Sequence, residues 1–401
     1  MVLNFMGHSY ESKCPPVNVI YLDYHATTPV DRRVAEKVLS CMTDCFGNAS
    51  STDHARGDRA RAAIDHAKHQ IASLIQCQPQ EIIFTSGATE SLNLAIQGTV
   101  IRRERHRQPT RIAISSVEHK AVLDLCQTLH HQGRIQLRLI PVDDRANLDL
   151  QVLETYCQEG LDLLGIMAAN NEVGTIYPLE TLGEMAQHYQ IPFLCDASQA
   201  VGKIPLKFQD WNLSLLAFSG HKLYAPQGIG VLIKSRDYPL DPLLYGGGHQ
   251  QGLRSGTLNL PGIVGLGEAC ALRQQEMAID EPRIAQQRNT LQAQLQQAFP
   301  DLVVNGNPDN RLAGNLHCSL GGIPNSAVTA RLYDRLAISS GSACSSGTIA
   351  QSHVLRAMGL PDETIEGALR IGLGKFTTDE EVQAAAHLLI DTLKVLQTLL
   401  A

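Results

Sequence analysis

The sequence of 401 residues contains 10 cysteines but no Cys-x-x-Cys pair, so the usual ligand spacing of a structural zinc site is missing. No stretch approaches the ~18–20 uninterrupted apolar residues of a membrane-spanning helix. No G-x-G-x-x-G follows an apolar run, and no G-x-x-x-x-G-K-[ST] occurs, which removes the usual dinucleotide and nucleoside-triphosphate fingerprints. An excess of positive charge is also lacking: 33 basic against 40 acidic residues give −7, which argues against nucleic-acid binding by bulk electrostatics. The basic stretch RRERHR at 102–107 precedes a Gln-Pro pair and reads as a solvated helix end. The first 20 residues hold Glu11, Lys13 and two prolines but no apolar core of a secretory signal, so a cytoplasmic location is expected. Cys126, Cys195 and Cys270 sit inside apolar runs and are expected to be reduced, buried thiols.

What is present is enough apolar material for a large core, 44% of residues, arranged in a regular alternation. EIIFTSG, RIAISSVEH, IQLRLIPVD, LDLLGIMAANN, IPFLCDASQ and LSLLAFSGHK each read as a buried strand followed by a polar loop. Amphipathic helical stretches lie between several of them, so an α/β fold with a mostly parallel sheet is expected. Ligands of such sheets bind beyond the carboxyl ends of the strands. From residue 266 onward helices dominate, at 266–298 and 379–400, with short strand-like runs near 302–304 and 314–320. Thr378 and Glu381 form a capping-box pattern at the start of the last helix. The expected organisation is a large domain over 19–265 and a smaller α+β domain over 266–401, joined by the segment 1–18.

Three features carry chemistry. The small residues of SGATES (86–91) open a helix after a strand, and free N–H groups there suit a phosphate, although many helices begin this way. Asp196 directly follows an apolar strand, where a carboxylate is costly to bury. It is either a turn aspartate or the partner of a protonated ring nitrogen, as a pyridoxal phosphate site requires. Lys222 ends the next apparent strand, 26 residues later, in FSGHKLYAPQGIG. A lysine desolvated in that position is suited to a Schiff base with an aldehyde cofactor, with Ser219 and His221 beside it as phosphate ligands.

Nine collinear segments carry a resemblance: YLDYHATTPVD (21–31), FGNASSTDH (46–54), TSGATESLNLA (85–95), EHKAVL (118–123), ANNEVGTI (169–176), DASQAVGK (196–203), SGHKLY (219–224), GGGHQQGLRSGT (246–257) and SSGSACSSG (339–347). The sequence resembles the cysteine desulfurases of the NifS/IscS type, among the fold-type-I pyridoxal phosphate enzymes of the class V aminotransferase family, from about residue 19 to 382. The resemblance implies removal of sulfur from L-cysteine with release of L-alanine. It implies Lys222 as the Schiff-base lysine, Asp196 on the pyridinium nitrogen, Gln199 on the phenolic oxygen and His119 stacked on the ring. Ala88 by its backbone, Thr89, Ser219 and His221 would hold the phosphate, and Thr257 would reach the phosphate of a neighbouring subunit in a homodimer. Asn170 would lie near cofactor and substrate, and Arg370 would clamp the substrate carboxylate.

Cys344 alone among the cysteines lies in a run of Ser, Gly and Ala; it is an incidental thiol by composition, and the nucleophile that takes the sulfur as a persulfide by resemblance. A sulfur-acceptor protein, such as an iron–sulfur scaffold, is the implied partner. One departure stands out: after SGHKLY the family continues Gly-Pro-Lys-Gly, whereas this chain has Ala225-Pro226-Gln227-Gly228.

Overall fold

The computed structural model describes residues 19–104, 108–340 and 351–400. It opens with β1 (Ile20–Tyr21) and the helices α1 (Arg32–Thr43) and α2 (Ala55–Ile75). The alternating region follows as β2 (Ile82–Thr85), α3 (Ala88–Glu104), β3 (Thr110–Ser115), α4 (Lys120–His131) and β4 (Ile135–Ile140). It continues through α5 (Leu150–Gln158), β5 (Leu163–Gly165), α6 (Leu179–His188), β6 (Phe193–Asp196), β7 (Leu215–Ser219) and β8 (Gly230–Lys234).

These seven strands, β2 to β8, form one sheet in the order β2-β8-β7-β6-β5-β3-β4. Every pairing is parallel except those of β8, which runs antiparallel to both β2 and β7. The six strands expected from the apolar runs are all present, and β8 is the addition. Its GVLIK run continues the lysine segment after a short turn, too soon for a crossover helix, so it can only pair antiparallel. Along each strand alternate side chains face opposite layers, as the pleat requires. Phe193, Cys195, Leu216 and Phe218 enter one core, while Leu194, Leu215 and Ala217 enter the other. Both faces are therefore covered, which is why the strands read as unbroken apolar runs.

The C-terminal part comprises α7 (Leu260–Ala298), β9 (Val303–Val304), β10 (Asn315–Ser319), α8 (Asn325–Leu332), β11 (Leu336–Ala337), α9 (His353–Ala357), α10 (Asp362–Glu366), β12 (Ala368–Gly372) and α11 (Asp379–Leu400). Helix α7 begins earlier than the expected start of a helical region at 266, because Asn259 caps it by accepting from the Gly262 N–H. Its first half, from Leu260 to Leu272, packs in the core of the large sheet. Its second half, with Ile284, Leu291 and Leu295, packs in a separate core with Leu316, Ile371 and Leu389. Leu22 joins this second core, and β1 pairs in parallel with β11. The capping box at Thr378 is formed: the Glu381 N–H donates to Thr378 Oγ1, and the Thr378 N–H donates to Glu381 Oε2. Cys126, Cys195 and Cys270 are buried and unpaired. Among the described residues no helix is long and apolar enough to cross a membrane.

Candidate active site

A cavity of about 430 Å³ opens at the carboxyl ends of the central strands. Several loops line it, each placed there by the strand it terminates. The turn after β2 leads into α3 through Ser86 and Gly87, and the backbone N–H groups of Ala88, Thr89 and Glu90 have no acceptor among the described residues. Gly230 at the start of β8 makes this approach possible, since a Cβ there would stand 2.5 Å from Gly87 Cα. Three open donors and the positive end of a long helix thus face the cavity, an arrangement suited to a doubly charged phosphate. Ser219 and His221 line the same end. Burial, followed by the charges of Lys222 and Lys203, pushes the His221 imidazole down to about 4, so this ring meets an anion as a neutral donor.

Asp196 ends β6 and is 7% exposed. Both readings of it hold at once. Oδ1 closes a turn by accepting from the Ser198 N–H at 2.9 Å and its hydroxyl at 2.6 Å. Oδ2 has no hydrogen bond and Asp196 no cationic partner among the described residues, while the side chain lines the cavity. A carboxylate in that state is a receptor for a protonated ring nitrogen.

Lys222 stands in the 3₁₀ turn after β7 and reaches across to the 25–26 backbone. Its Nζ donates to the carbonyl oxygens of His25 at 2.5 Å and Ala26 at 2.7 Å. Two residues on, Tyr224 adopts the left-handed region (φ 67°), a conformation that costs a side-chain-bearing residue about 1–2 kcal/mol. Its surroundings hold it there: its N–H donates to Thr28 Oγ1, and its ring packs on Tyr24, Phe376 and the Lys375 ammonium. This turn aims Lys222 inward. Ala225, at the position where the family has glycine, is buried and its Cβ lies 3.3 Å from where a Cβ on Gly220 would stand. Gln227, in place of the family's lysine, lines the cavity rim and reaches Thr27 Oγ1.

His119 is the N-cap of α4, and its Nδ1 accepts from the Ala121 N–H at 3.1 Å. That bond requires an unprotonated Nδ1, so a neutral ring carries its proton on Nε2. Gln199 and His119 both line the cavity.

Asn170 does not line it, which corrects the sequence expectation. Its side chain is fully buried, with Oδ1 accepting from the Glu172 and Val173 N–H groups and Nδ2 donating to Val117 O. Asn171 lines the cavity instead, and its Oδ1 has no partner. Two adjacent asparagines in one loop point opposite ways, and the sequence alone carries no signal for which turns inward.

Arg370 on β12 is 3% exposed and reaches the cavity from the second core. Nη2 pairs with Asp23 Oδ1 at 3.0 Å, Nη1 donates to Asn171 O at 3.1 Å, and Nε has no partner. Sequence reasoning gives Asp23 no role, although a charged residue directly after the apolar Tyr21-Leu22 is a signal for one. Burial raises its carboxyl above the ordinary value, partly offset by Arg370.

Thr257 is exposed and is not among the residues that line the cavity of its own chain. Cys344 lies outside the described residues. The chain on either side of 341–350 is anchored at the cavity: Ser339 exchanges backbone hydrogen bonds with Arg370, the Ser352 hydroxyl donates to Glu172 Oε2 at 2.6 Å, and His353 Nε2 bonds Glu118 O at 2.9 Å.

Glu172 is a further buried acid beside Asn171. Burial, opposed by the Ser352 hydroxyl and by Arg370, raises its carboxyl from 4.5 to about 7. The folded chain then holds a proton that the unfolded chain releases, so this stability is complete below about 4.5 and is lost as pH rises to about 7. We expect Glu172→Gln to flatten the fall in urea midpoint between pH 5 and 7, by on the order of 1–3 kcal/mol relative to the parent. Parallel curves for the two proteins would place the Glu172 proton elsewhere.

The aminotransferase class-V family model matches residues 20–385. Proteins named cysteine desulfurase IscS from Shewanella halifaxensis and Colwellia psychrerythraea are each 42% identical, over 379 and 374 residues respectively. The first match covers 94% of this chain and 92% of the relative, the second 92% and 91%. Among solved structures, a NifS-like protein is 32% identical with a TM-score of 0.86, covering 94% of this chain and all of that one. SspA in complex with cysteine is 34% identical with a TM-score of 0.78, over 89% of this chain and 99% of that one. With a buried acid, a lysine and an open helix terminus gathered in one cavity, the chain belongs to the class-V aminotransferase family, among its pyridoxal phosphate-dependent cysteine desulfurases.

Proposed function

We propose that this cavity holds pyridoxal phosphate on Lys222 and desulfurates L-cysteine there. The observation that carries it is the convergence of three unlike receptors in one space. The open N–H groups at 88–90, with Ser219 and His221, suit the phosphate; the unpaired Asp196 oxygen suits the protonated ring nitrogen; the Lys222 amine suits the aldehyde. When bound, the cofactor supplies an electron sink for the bonds around the substrate's α-carbon.

The residues of this chain do the rest. Arg370 uses two of its five N–H donors on Asp23 and Asn171, and the others remain to hold the substrate carboxylate. Asn171, rather than Asn170, is the amide beside that carboxylate. Lys222 Nζ, once released, takes the α-proton. His119, neutral with its proton on Nε2, would stack over the ring and can give a proton from that nitrogen. The Cys344 thiolate attacks the substrate sulfur; the carbon–sulfur bond breaks, a persulfide forms on Cys344, and L-alanine leaves. Ser339, paired with Arg370, is five residues from Cys344, at most about 18 Å of extended chain.

We further propose a homodimer in which Thr257 reaches the partner's phosphate, consistent with its exposure outside the lining of its own cavity. The division into domains near 265/266 is also proposed. The two separate cores that α7 serves support two domains, with the change of core along α7 falling between Leu272 and Ile284. The persulfide passes to a sulfur-acceptor protein in the cytoplasm, of the kind that builds iron–sulfur clusters; the unpaired cysteines accord with a reducing compartment.

The direct test is incubation of cofactor-loaded protein with L-cysteine and a reducing thiol, expected to release alanine and sulfide in equal amounts. Absence of alanine would refute the activity. Arg370→Lys keeps the charge but loses the planar fork, so the KM for cysteine should rise roughly 10–100-fold with a smaller change in kcat. An unchanged KM would remove Arg370 from the carboxylate.

A further inference from the structure

Lys203, in the DASQAVGK segment, lies behind the cavity wall and has no part in the chemistry above. Its Nζ donates to Gln199 Oε1 at 3.0 Å. At its other end Gln199 Nε2 donates to His25 O at 2.9 Å. A lysine ammonium can only donate and a backbone carbonyl can only accept, so these two contacts together fix which way the carboxamide faces. The His25 ring reinforces the choice: its Nδ1 meets the same Gln199 Oε1 at 3.2 Å and therefore carries the proton there. His25 and Gln199 are 2% and 4% exposed, so no solvent competes for these bonds.

The consequence reaches the reacting lysine. The His25 carbonyl that accepts from Gln199 Nε2 also accepts from Lys222 Nζ. The Gln199 amide nitrogen and the Lys222 amine therefore share one acceptor, so the amide donor stands beside the amine that would hold the aldehyde. Without Lys203, Gln199 Oε1 keeps only the His25 Nδ1–H as a donor, and the carboxamide loses one of the three contacts that hold it in place. Lys203 is set in a demanding place: burial and the charge of Lys222 push its ammonium down to about 7, against the attraction of Glu281. A neutral amine still donates, so the hold on Gln199 survives on either side of that value.

We propose that Lys203 is a positioning residue for the cofactor: by holding Gln199 Oε1 it presents Gln199 Nε2 beside Lys222, and so sets the pH at which the bound cofactor's visible absorption titrates. This rests on the cofactor reading of the cavity. A donor on the phenolic oxygen stabilises its negative charge and disfavours a proton on the neighbouring nitrogen, so losing the donor raises the midpoint.

The experiment is a pH titration of the visible band in cofactor-loaded protein. Lys203→Met and Lys203→Ala are both made, so that a folding failure in one leaves the comparison standing. Each should raise the midpoint by roughly 0.5–1 unit, the size of one hydrogen bond. Lys203→Arg, which keeps a donor, should titrate like the parent. In a Gln199→Ala background the Lys203 substitutions should add no further shift.

Asp196, His119, His221 and Arg370 also face the cavity, and Glu281 and Arg273 act on Lys203. All are common to both backgrounds and cancel in the comparison. A midpoint unchanged by loss of Lys203 overturns the proposal. So does an equal shift with Gln199 absent, which would mean that the charge of Lys203 acts directly on Lys222. A parent protein with no titrating band would instead refute the cofactor reading, before any variant is compared.

Discussion

Lys222→Ala should remove the visible absorption band of the purified protein and lower alanine formation by at least roughly 10²–10⁴-fold, the contribution of a positioned general base alone. The loss should exceed that range, because the same side chain also anchors the aldehyde. The fold should survive. Lys222 Nζ contacts two carbonyl oxygens at a cavity wall rather than filling a core, and the Tyr224 turn that aims it is held by Thr28, Phe376 and Lys375. An unfolding midpoint close to the parent's should therefore accompany the spectral loss. Lys222→Arg is the sharper control: it keeps a cation facing the His25 and Ala26 carbonyls but offers no nucleophilic amine. A variant that keeps the parent spectrum would show that another amine holds the cofactor.

The second large effect is expected at Cys344. Replacing it with alanine should stop alanine release, by more than about 10³-fold, because Cys344 is the proposed acceptor of the sulfur. Steps before sulfur transfer should continue. Cysteine should still perturb the spectrum, and its α-proton should still exchange with deuterated solvent, since Arg370, Lys222 and His119 are untouched. That split between exchange and product release separates a missing nucleophile from a damaged site. The eight described cysteines offer no substitute: seven are buried, and Cys45 is exposed, accepts from the Ser40 hydroxyl and is not among the residues lining the cavity. Burial raises the thiols of Cys77, Cys126 and Cys318 to about 12, further from the thiolate that attack requires. Continued alanine formation by the variant would remove Cys344 from the reaction.

Sequence legibility followed the physical origin of each feature. The central sheet was legible because strands buried on both faces must be apolar throughout, and six such runs are visible between residues 81 and 222. The antiparallel return of β8 was less so, since a run after a short turn shows its direction only through what it pairs with. Lys222 and Asp196 stood out because a charge at the end of an apolar run is costly and calls for a reason. Asn171 was missed in favour of Asn170 because the two share composition and neighbours; only the loop's turn, closed by Oδ1 of Asn170 on the N–H groups of Glu172 and Val173, turns one in and the other out.

By itself the sequence determined the layered α/β order and the family, and it singled out Lys222 and Asp196 as the candidate lysine and acid, because each is written in local residue type and spacing. Tertiary structure alone decided that β12 brings Arg370 from the second core to Asp23, 347 residues away in sequence, and that Lys203, Gln199, His25 and Lys222 form one hydrogen-bonded chain. The reason is that a hydrogen bond depends on where two atoms meet in space. Pairings between distant segments leave no periodicity in either one, so they appear only when the sheet and the second core have closed around them.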